Sequence, residues 1–340
     1  MVVLLALLLV LVGVVVAGGT YYEWAVGASG AQKPIVVTIP HGATGSDVGG
    51  ILKEQGVIRS TLAFRVLARF RGFSGGFQAG RYHLKTNMSV SDVLAALKEG
   101  PFLESIRATF AEGWSVDRVA QRAHDALGIN AKQFVKAANS GSYSLDDLLP
   151  PGTKTVEGFL FPSTYDFFKG ATADGVIRRL LSQFQVEAAK LPWDNAKALG
   201  LSKYQVVVVA SMIEREAKLD PDRPKVAAVI YNRLKKGMAL QIDATILYAL
   251  EREGRPLSQC GTPPAVCVTN ADLKVESPYN TYIHPGLPPT PIDSPSFASL
   301  VAALTPAKAD YLYYVSDSAG ANHFASTYAE FLALKRKYLG

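Results

Sequence analysis

Cysteine is almost absent from the 340 residues: there are two, Cys260 and Cys267, both inside LSQCGTPPAVCVTN. They stand seven positions apart with no His pair beside them, so a zinc site is not expected. Histidine is thin as well. His41, His83, His124, His284 and His323 are scattered with no HExxH, which excludes a zinc hydrolase of that motif. No metal or cofactor is implied. Charged residues make up only 19%, and no dense Lys/Arg stripe accompanies the net charge of +6, so nucleic-acid binding is not expected. No phosphate-binding loop or dinucleotide fingerprint occurs. Gly72-Phe73-Ser74-Gly75-Gly76 spells G-x-S-x-G, but a nucleophile elbow needs a strand before and a helix after, and here the order is reversed. Beyond the N-terminus no stretch approaches ~20 uncharged apolar residues, which excludes a multi-span membrane protein. With 49% hydrophobic and 10% aromatic residues the chain is not disordered, collagenous or a coiled coil, and its length suggests about two domains.

What is present begins with one apolar block. Mean hydropathy is +0.14, and the excess sits in residues 1–17, MVVLLALLLVLVGVVVA, which hold no polar side chain. The first charged residue is Glu23, so an uncharged run of 22 residues precedes it. At about 1.5 Å per residue that run crosses a hydrocarbon core of about 30 Å. Tyr21, Tyr22 and Trp24 follow where an interfacial aromatic belt would lie. A buried core helix is disfavoured, being apolar all round at a terminus. A cleaved signal peptide ending at Val15-Val16-Ala17 is the rival, but no Lys or Arg occurs before Lys33 to form its basic region. An uncleaved transmembrane anchor over 1–22 is therefore predicted, with the remainder exported. Export in turn predicts a Cys260–Cys267 disulfide, two free thiols being the alternative.

Residues 23–34, rich in Gly, Ala and Ser, read as a juxtamembrane linker. Then IVVTI (35–39) reads as a strand, Ser46 as the cap of a helix through Gln55, 60–71 as a helix capped by Ser60, 80–85 as a strand and 89–100 as a helix. HGATGSDVGGILKEQGVI and EGWSVDRVAQRAHDALGI share a faint strand–turn–helix pattern. Together these predict a small α/β unit over 35–100. The remainder, 101–340, reads as a larger mixed α/β domain. It has a strand at 104–110, helices at 115–127, 131–147, 172–189, 202–218, 222–236 and 327–338, and strands at 311–316 and HFAS. The β-branched run Val206–Val209 argues strand by propensity, but its length and the ending SMIEREAK favour a buried helix. Proline and glycine make 278–298 an irregular ordered loop. The fold class is α+β.

Candidate chemistry lies with carboxylates, amides and phenols. Glu214 follows the apolar run Val206 to Ile213, where desolvation would suit a general acid. Glu216, two residues on, points about 200° away round the helix, so the two cannot face each other. From spacing alone a single mid-helix glutamate reads rather as a surface residue than as a catalytic one. Glu157, beside Phe161 and Tyr165 in VEGFLFPSTYDF, suits sugar binding with ring faces against pyranoses, or else belongs to a core aromatic cluster with a capping acid. Asn232, Arg233, Gln241 and Asp243 lie among apolar neighbours, and Tyr279, Asn280 and Tyr282 on a proline-stiffened loop. Such groups on rigid loops suit a polar, uncharged ligand such as a glycan.

The chain resembles the YceG-like family of endolytic murein transglycosylases. The resemblance is carried by EGFLFPSTY (157–165), ASMIEREA (210–217), YNRLKKGMALQIDATILYAL (231–250), SPYNTYIHPGLPPTPI (277–292) and YLYYV followed by His323-Phe324, in order across most of 35–335. Ala244, Ser163 and Asp293 depart from the residues usual in the family. The resemblance implies a membrane anchor, a LysM-like subdomain and a catalytic domain on the outer face of the cell membrane. It implies cleavage of the β-1,4 bond from N-acetylmuramic acid to N-acetylglucosamine in peptidoglycan, leaving a 1,6-anhydro end. It places Glu214 at the catalytic glutamate, with cell-wall synthases as partners. The rivals are a hydrolytic muramidase, with Asp243 or Glu157 as second carboxylate, and a non-catalytic peptidoglycan-binding scaffold.

Overall fold

The structure is a computed structural model that describes residues 2–73, 76–102, 105–259 and 266–340, with backbone alone at 2–11, 13, 14, 258, 259 and 266. It divides into two compact units, Met1–Glu104 and Ser105–Gly340. Ser74 and Gly75 of the G-x-S-x-G segment lie outside the described residues.

Unit 1 runs α1 (Val2–Val26), β1 (Pro34–Ile39), α2 (Gly45–Glu54), α3 (Thr61–Phe70), β2 (Gly80–Lys85) and α4 (Val90–Glu99). Alternation in β1 sends Val37 and Ile39 inward, and antiparallel pairing sets Val37 opposite Tyr82 and Ile35 opposite Leu84. Phe64, Leu52, Val48 and Leu94 fill the core beneath. Ser60 caps α3 as expected. α2 is capped by Thr44, not Ser46, in a reciprocal box with Asp47. Residues 23–34 are not a free linker. α1 continues to Val26, Ala25 is buried, Ser29 and Ala31 bond Asn87, and Lys33 bonds Thr86. The anchor predicted over 1–22 falls largely on side chains outside the described ones. Among the described residues no helix is long and apolar enough to cross a membrane.

Unit 2 opens with β3 (Ser105–Phe110), α5 (Val116–Leu127) and α6 (Ala131–Ala138), then β4 (Ser163–Phe168), antiparallel to β3. The helical reading of 131–147 stops at Ala138, where Asn139 ends the helix. α7 (Ala173–Ala188), α8 (Asp194–Ala198) and α9 (Lys203–Glu216) follow. In α9 every residue from Val206 to Ile213 is buried. α10 (Arg223–Lys235), α11 (Asp243–Arg252) and α12 (Phe297–Leu304) surround it. Burial on all sides lets β-branched valines occupy a helix against their propensity. α11 and α12 were not anticipated. Between them lie the short hairpin β5 (Ser258–Gln259) and β6 (Val266–Cys267) and the irregular 277–296 loop. Cys267 is disulfide-bonded, while Cys260 lies outside the described residues. β7 (Tyr313–Ser316) pairs with β8 (Asn322–Ala325), and α13 (Tyr328–Tyr338) packs Phe331 on Tyr313, ring centroids 5.2 Å apart.

Candidate active site

The C-terminal end of α9 opens on a cavity of 280 Å³ lined by Glu216, Arg233, Leu240, Gln241, Asp243, Tyr282, Tyr314 and Phe331. Each element delivers its residue for a local reason. Glu216 is the last residue of α9, and Asn322 Nδ2 donates to its carbonyl at 3.1 Å, holding the helix end to β8. Asp243 opens α11, after a turn in which Gln241 takes φ 56. Arg233 on α10 spans the gap, its Nε donating to Leu312 O at 2.7 Å and its Nη1 to Leu240 O at 2.8 Å and Gln241 Oε1 at 3.3 Å. It therefore fixes both the 239–241 turn and the approach to β7. Asn280, fully buried, donates to Leu273 O and Val275 O and accepts from Tyr282 N, shaping the loop that presents Tyr282.

Two phenol–carboxylate bonds face this cavity. Tyr314 donates to Glu216 Oε2 at 2.7 Å, and Tyr282 donates to Asp243 Oδ1 at 2.5 Å. Glu216 Oε1 accepts from none of the described residues. Burial pushes the Glu216 carboxyl up to about 6, the negative charge of Asp243 adds to that, and the Tyr314 bond opposes it. Burial also holds the Tyr314 phenol, and burial with the Asp243 bond the Tyr282 phenol, above the usual range, so both remain donors. One half-buried carboxyl with a free oxygen, beside a second carboxylate and a fixed amide, can exchange a proton with a bound polar ligand.

Glu214 faces elsewhere. Its Oε2 accepts from Arg223 Nη1 at 3.1 Å, Ser296 N at 2.9 Å and Ser296 Oγ at 2.5 Å. Its side chain is 7% exposed. Arg223 also reaches Ser299 Oγ and Asp220. This network ties the end of α9 to the starts of α10 and α12, and it leaves Glu214 off the lining of the Glu216 cavity. The 200° separation of the two glutamates was legible. Which side the binding loops occupy was not.

Of the predicted binding residues, the cavity gathers Arg233, Gln241, Asp243 and Tyr282. The others serve the scaffold. Glu157 is 2% exposed and accepts Val116 N with both oxygens and the Tyr248 hydroxyl at 3.0 Å, so it caps α5 from inside. Phe161 packs edge-on against Phe184, and Tyr165 is buried with its hydroxyl on Phe161 O. Both belong to the core, not to a sugar platform. Tyr279 stacks edge-on against Tyr248 and bonds Thr290. Asn232 donates to Ala309 O and Tyr311 O. Tyr314 escaped the sequence reading because YLYYVS offers three tyrosines and only the β7 register selects one. Among the described residues no cluster of His, Cys, Asp or Glu could hold a metal ion.

Residues 37–337 match the profile of the YceG-like family. The endolytic murein transglycosylase of Bacillus subtilis is 34% identical over 326 residues, covering 91% of this chain and 86% of that protein. Its namesake in Streptococcus pneumoniae strain R6 is 28% identical over 340 residues, covering 91% of this chain and 60% of that protein. A YceG-like protein of Listeria monocytogenes, solved at 2.6 Å, superposes with a TM-score of 0.58 at 31% identity, over 90% of this chain and 100% of its own.

Proposed function

Because the chain belongs to the YceG-like family, we propose that it cuts murein glycan strands internally with Glu216 as the group that moves the proton. The function is that of an endolytic murein transglycosylase, a lyase acting on peptidoglycan. The observation that carries the residue assignment is the cavity at the end of α9. There Glu216, raised to about 6, meets Gln241, Asp243, Tyr282 and Tyr314. Protonated Glu216 gives its proton to the glycosidic oxygen linking N-acetylmuramic acid to N-acetylglucosamine. The bond from that oxygen to the muramyl C1 breaks, and the C6 hydroxyl oxygen of the same muramyl residue bonds C1. Its proton returns to Glu216, so no water is consumed and a 1,6-anhydro end remains. Tyr314 orients the carboxyl, and Asp243 and Gln241 bind the sugar's polar groups. One carboxyl serves both proton transfers, where hydrolytic glycosidases use a pair.

A membrane anchor in α1, a catalytic unit on the outer face, contact with cell-wall synthases and a LysM-like role for unit 1 belong to the same proposal. The β–α–α–β order of unit 1 supports the last. Digestion of purified glycan followed by mass spectrometry of the new ends tests the chemistry. Muramyl ends lighter by one water are expected. Intact reducing ends would mean a hydrolase with Asp243 as second carboxylate, and no new ends a binding scaffold.

A further inference from the structure

Unit 1 presents a surface that glycan cleavage does not use. Between Glu54 and Asp92 the sequence holds no acidic residue and six basic ones: Arg59, Arg65, Arg69, Arg71, Arg81 and Lys85. The sequence has no dense basic stripe, but α3 concentrates part of this charge. Its inner face buries Phe64 and Ala68. Its outer face carries Leu62, Val66 and Phe70, spaced by four, at 61%, 49% and 84% exposure. Arg65 and Arg69 stand beside that ridge, both exposed, with no ion pair among the described residues. Leu62, Val66, Arg65 and Arg69 also border an open groove of 630 Å³ reaching Phe73 and Phe77.

Two features say what covers this face. The first is charge. An apolar ridge flanked by arginines, on a helix that itself carries no acid, is the pattern of a helix lying in a bilayer interface, with its apolar side chains at the acyl boundary and its guanidiniums on lipid phosphates. The second is position. Arg59, just before the Ser60 cap of α3, donates to Trp24 O at 3.1 Å and lies over the Trp24 ring at 5.6 Å. Ala25 is buried and Val26 packs on the unit 1 core. α3 is therefore fastened to the end of α1 that exposes Tyr21, Tyr22 and Trp24.

We propose that the outer face of α3, Leu62, Val66 and Phe70 with Arg65 and Arg69, docks on a bilayer surface containing anionic phospholipid. This rests on α1 as a membrane anchor and not on the chemistry at Glu216. The anchor and α3 together would hold unit 1 in one orientation at the membrane.

The test uses the full chain carrying V66C, labelled there with an environment-sensitive fluorophore while Cys260 and Cys267 stay oxidised. It is reconstituted in phosphatidylcholine vesicles with or without phosphatidylglycerol, and quenched by lipids bearing a nitroxide near the headgroup. Strong quenching that depends on phosphatidylglycerol is expected. Adding Arg65→Gln and Arg69→Gln should weaken docking about 25-fold, at about fivefold per charge, with an unchanged circular dichroism spectrum. Glu216→Gln should leave quenching untouched, which separates this surface from the catalytic assignment. A chain that floats with vesicles but keeps the label in water overturns the proposal, as does quenching that ignores lipid charge. A label shielded by added glycan strands and not by lipid overturns it in favour of a glycan surface. Failure to float overturns both this surface and the anchor.

Discussion

Tyr314 reaches Glu216 Oε2, while Oε1 accepts from none of the described residues and Glu216 lines the cavity, and this division of labour makes the acid testable. Glu216→Gln keeps size but cannot transfer a proton. Anhydro-end formation should fall at least about 10²–10⁴-fold while glycan pull-down persists. Glu214→Gln should leave the chemistry in place and instead lower stability by about 3 kcal/mol, the low end for a broken buried pair, because Arg223 keeps Asp220 and Ser299. Comparing the two variants by product yield and by denaturant midpoint decides between them. A Glu216→Gln enzyme that cleaves at wild-type rate would sink the assignment. As a proton donor Glu216 is competent when protonated, hence below about 6 and progressively less above. kcat/KM should therefore decline along an alkaline limb centred near pH 6, and Tyr314→Phe, by removing a bond that favours the ionised form, should move that limb upward. A limb at the ordinary glutamate value of 4.5 would contradict the burial of Glu216. Asp293 offers a separate check. It is 1% exposed, neither oxygen has a partner among the described residues, and burial holds its carboxyl well above 3.8. Its neutral form is thus favoured on folding. The associated stability is present below 3.8 and lost as pH rises through the folded value. Asp293→Asn should flatten the pH dependence of Tm in that range.

At the scale of elements, the irregular loop from 277 to 296 matters most, because it has no ladder to hold it and depends on side chains. Asn280 makes three backbone bonds from a fully buried position. Asn280→Ala would leave the Leu273 carbonyl and the Tyr282 N–H unpaired, while Val275 O keeps its bond from Ser277 N. A cost of about 2–3 kcal/mol is expected, at about 1–3 per unsatisfied group after partial relaxation. Tyr282 should lose its position against Asp243, so KM for glycan should rise together with the loss of stability. An unchanged KM would mean that Tyr282 is placed by the cavity wall and not by Asn280. Gly158 shows the same dependence from the other side, since its φ is 87 and a Cβ there would lie 2.4 Å from Pro291 Cβ. Helices with a clean cap and a 3.6-residue period, such as α3, α7 and α13, were readable because local signals agreed. α11 and α12 were missed, being short helices next to proline-rich or turn-rich segments. Their apolar residues pack on α9, which no local signal announces.

At the scale of the whole molecule, each unit has its own hydrophobic core. A fragment of residues 105–340 should therefore unfold cooperatively and still form anhydro ends on soluble glycan, as measured by calorimetry and mass spectrometry. A molten fragment would mean that unit 2 leans on unit 1 for stability. The sequence by itself determined the α+β class and most helices, because hydrophobic period and capping residues act within a few positions. It also determined the family, through five ordered motifs, and the set of polar residues from which a site could be built. Tertiary structure alone decided which of them meet. Glu157, Phe161 and Tyr165 turn into the core, while Gln241 and Asp243, from one turn and the helix start that follows it, and Tyr282, from a loop 39 residues beyond Asp243, arrive beside Glu216. Helix geometry separates Glu214 from Glu216 but is silent on which face meets the ligand. That depends on where β7 and the 277–296 loop pack, a long-range outcome of burial that residue spacing does not encode.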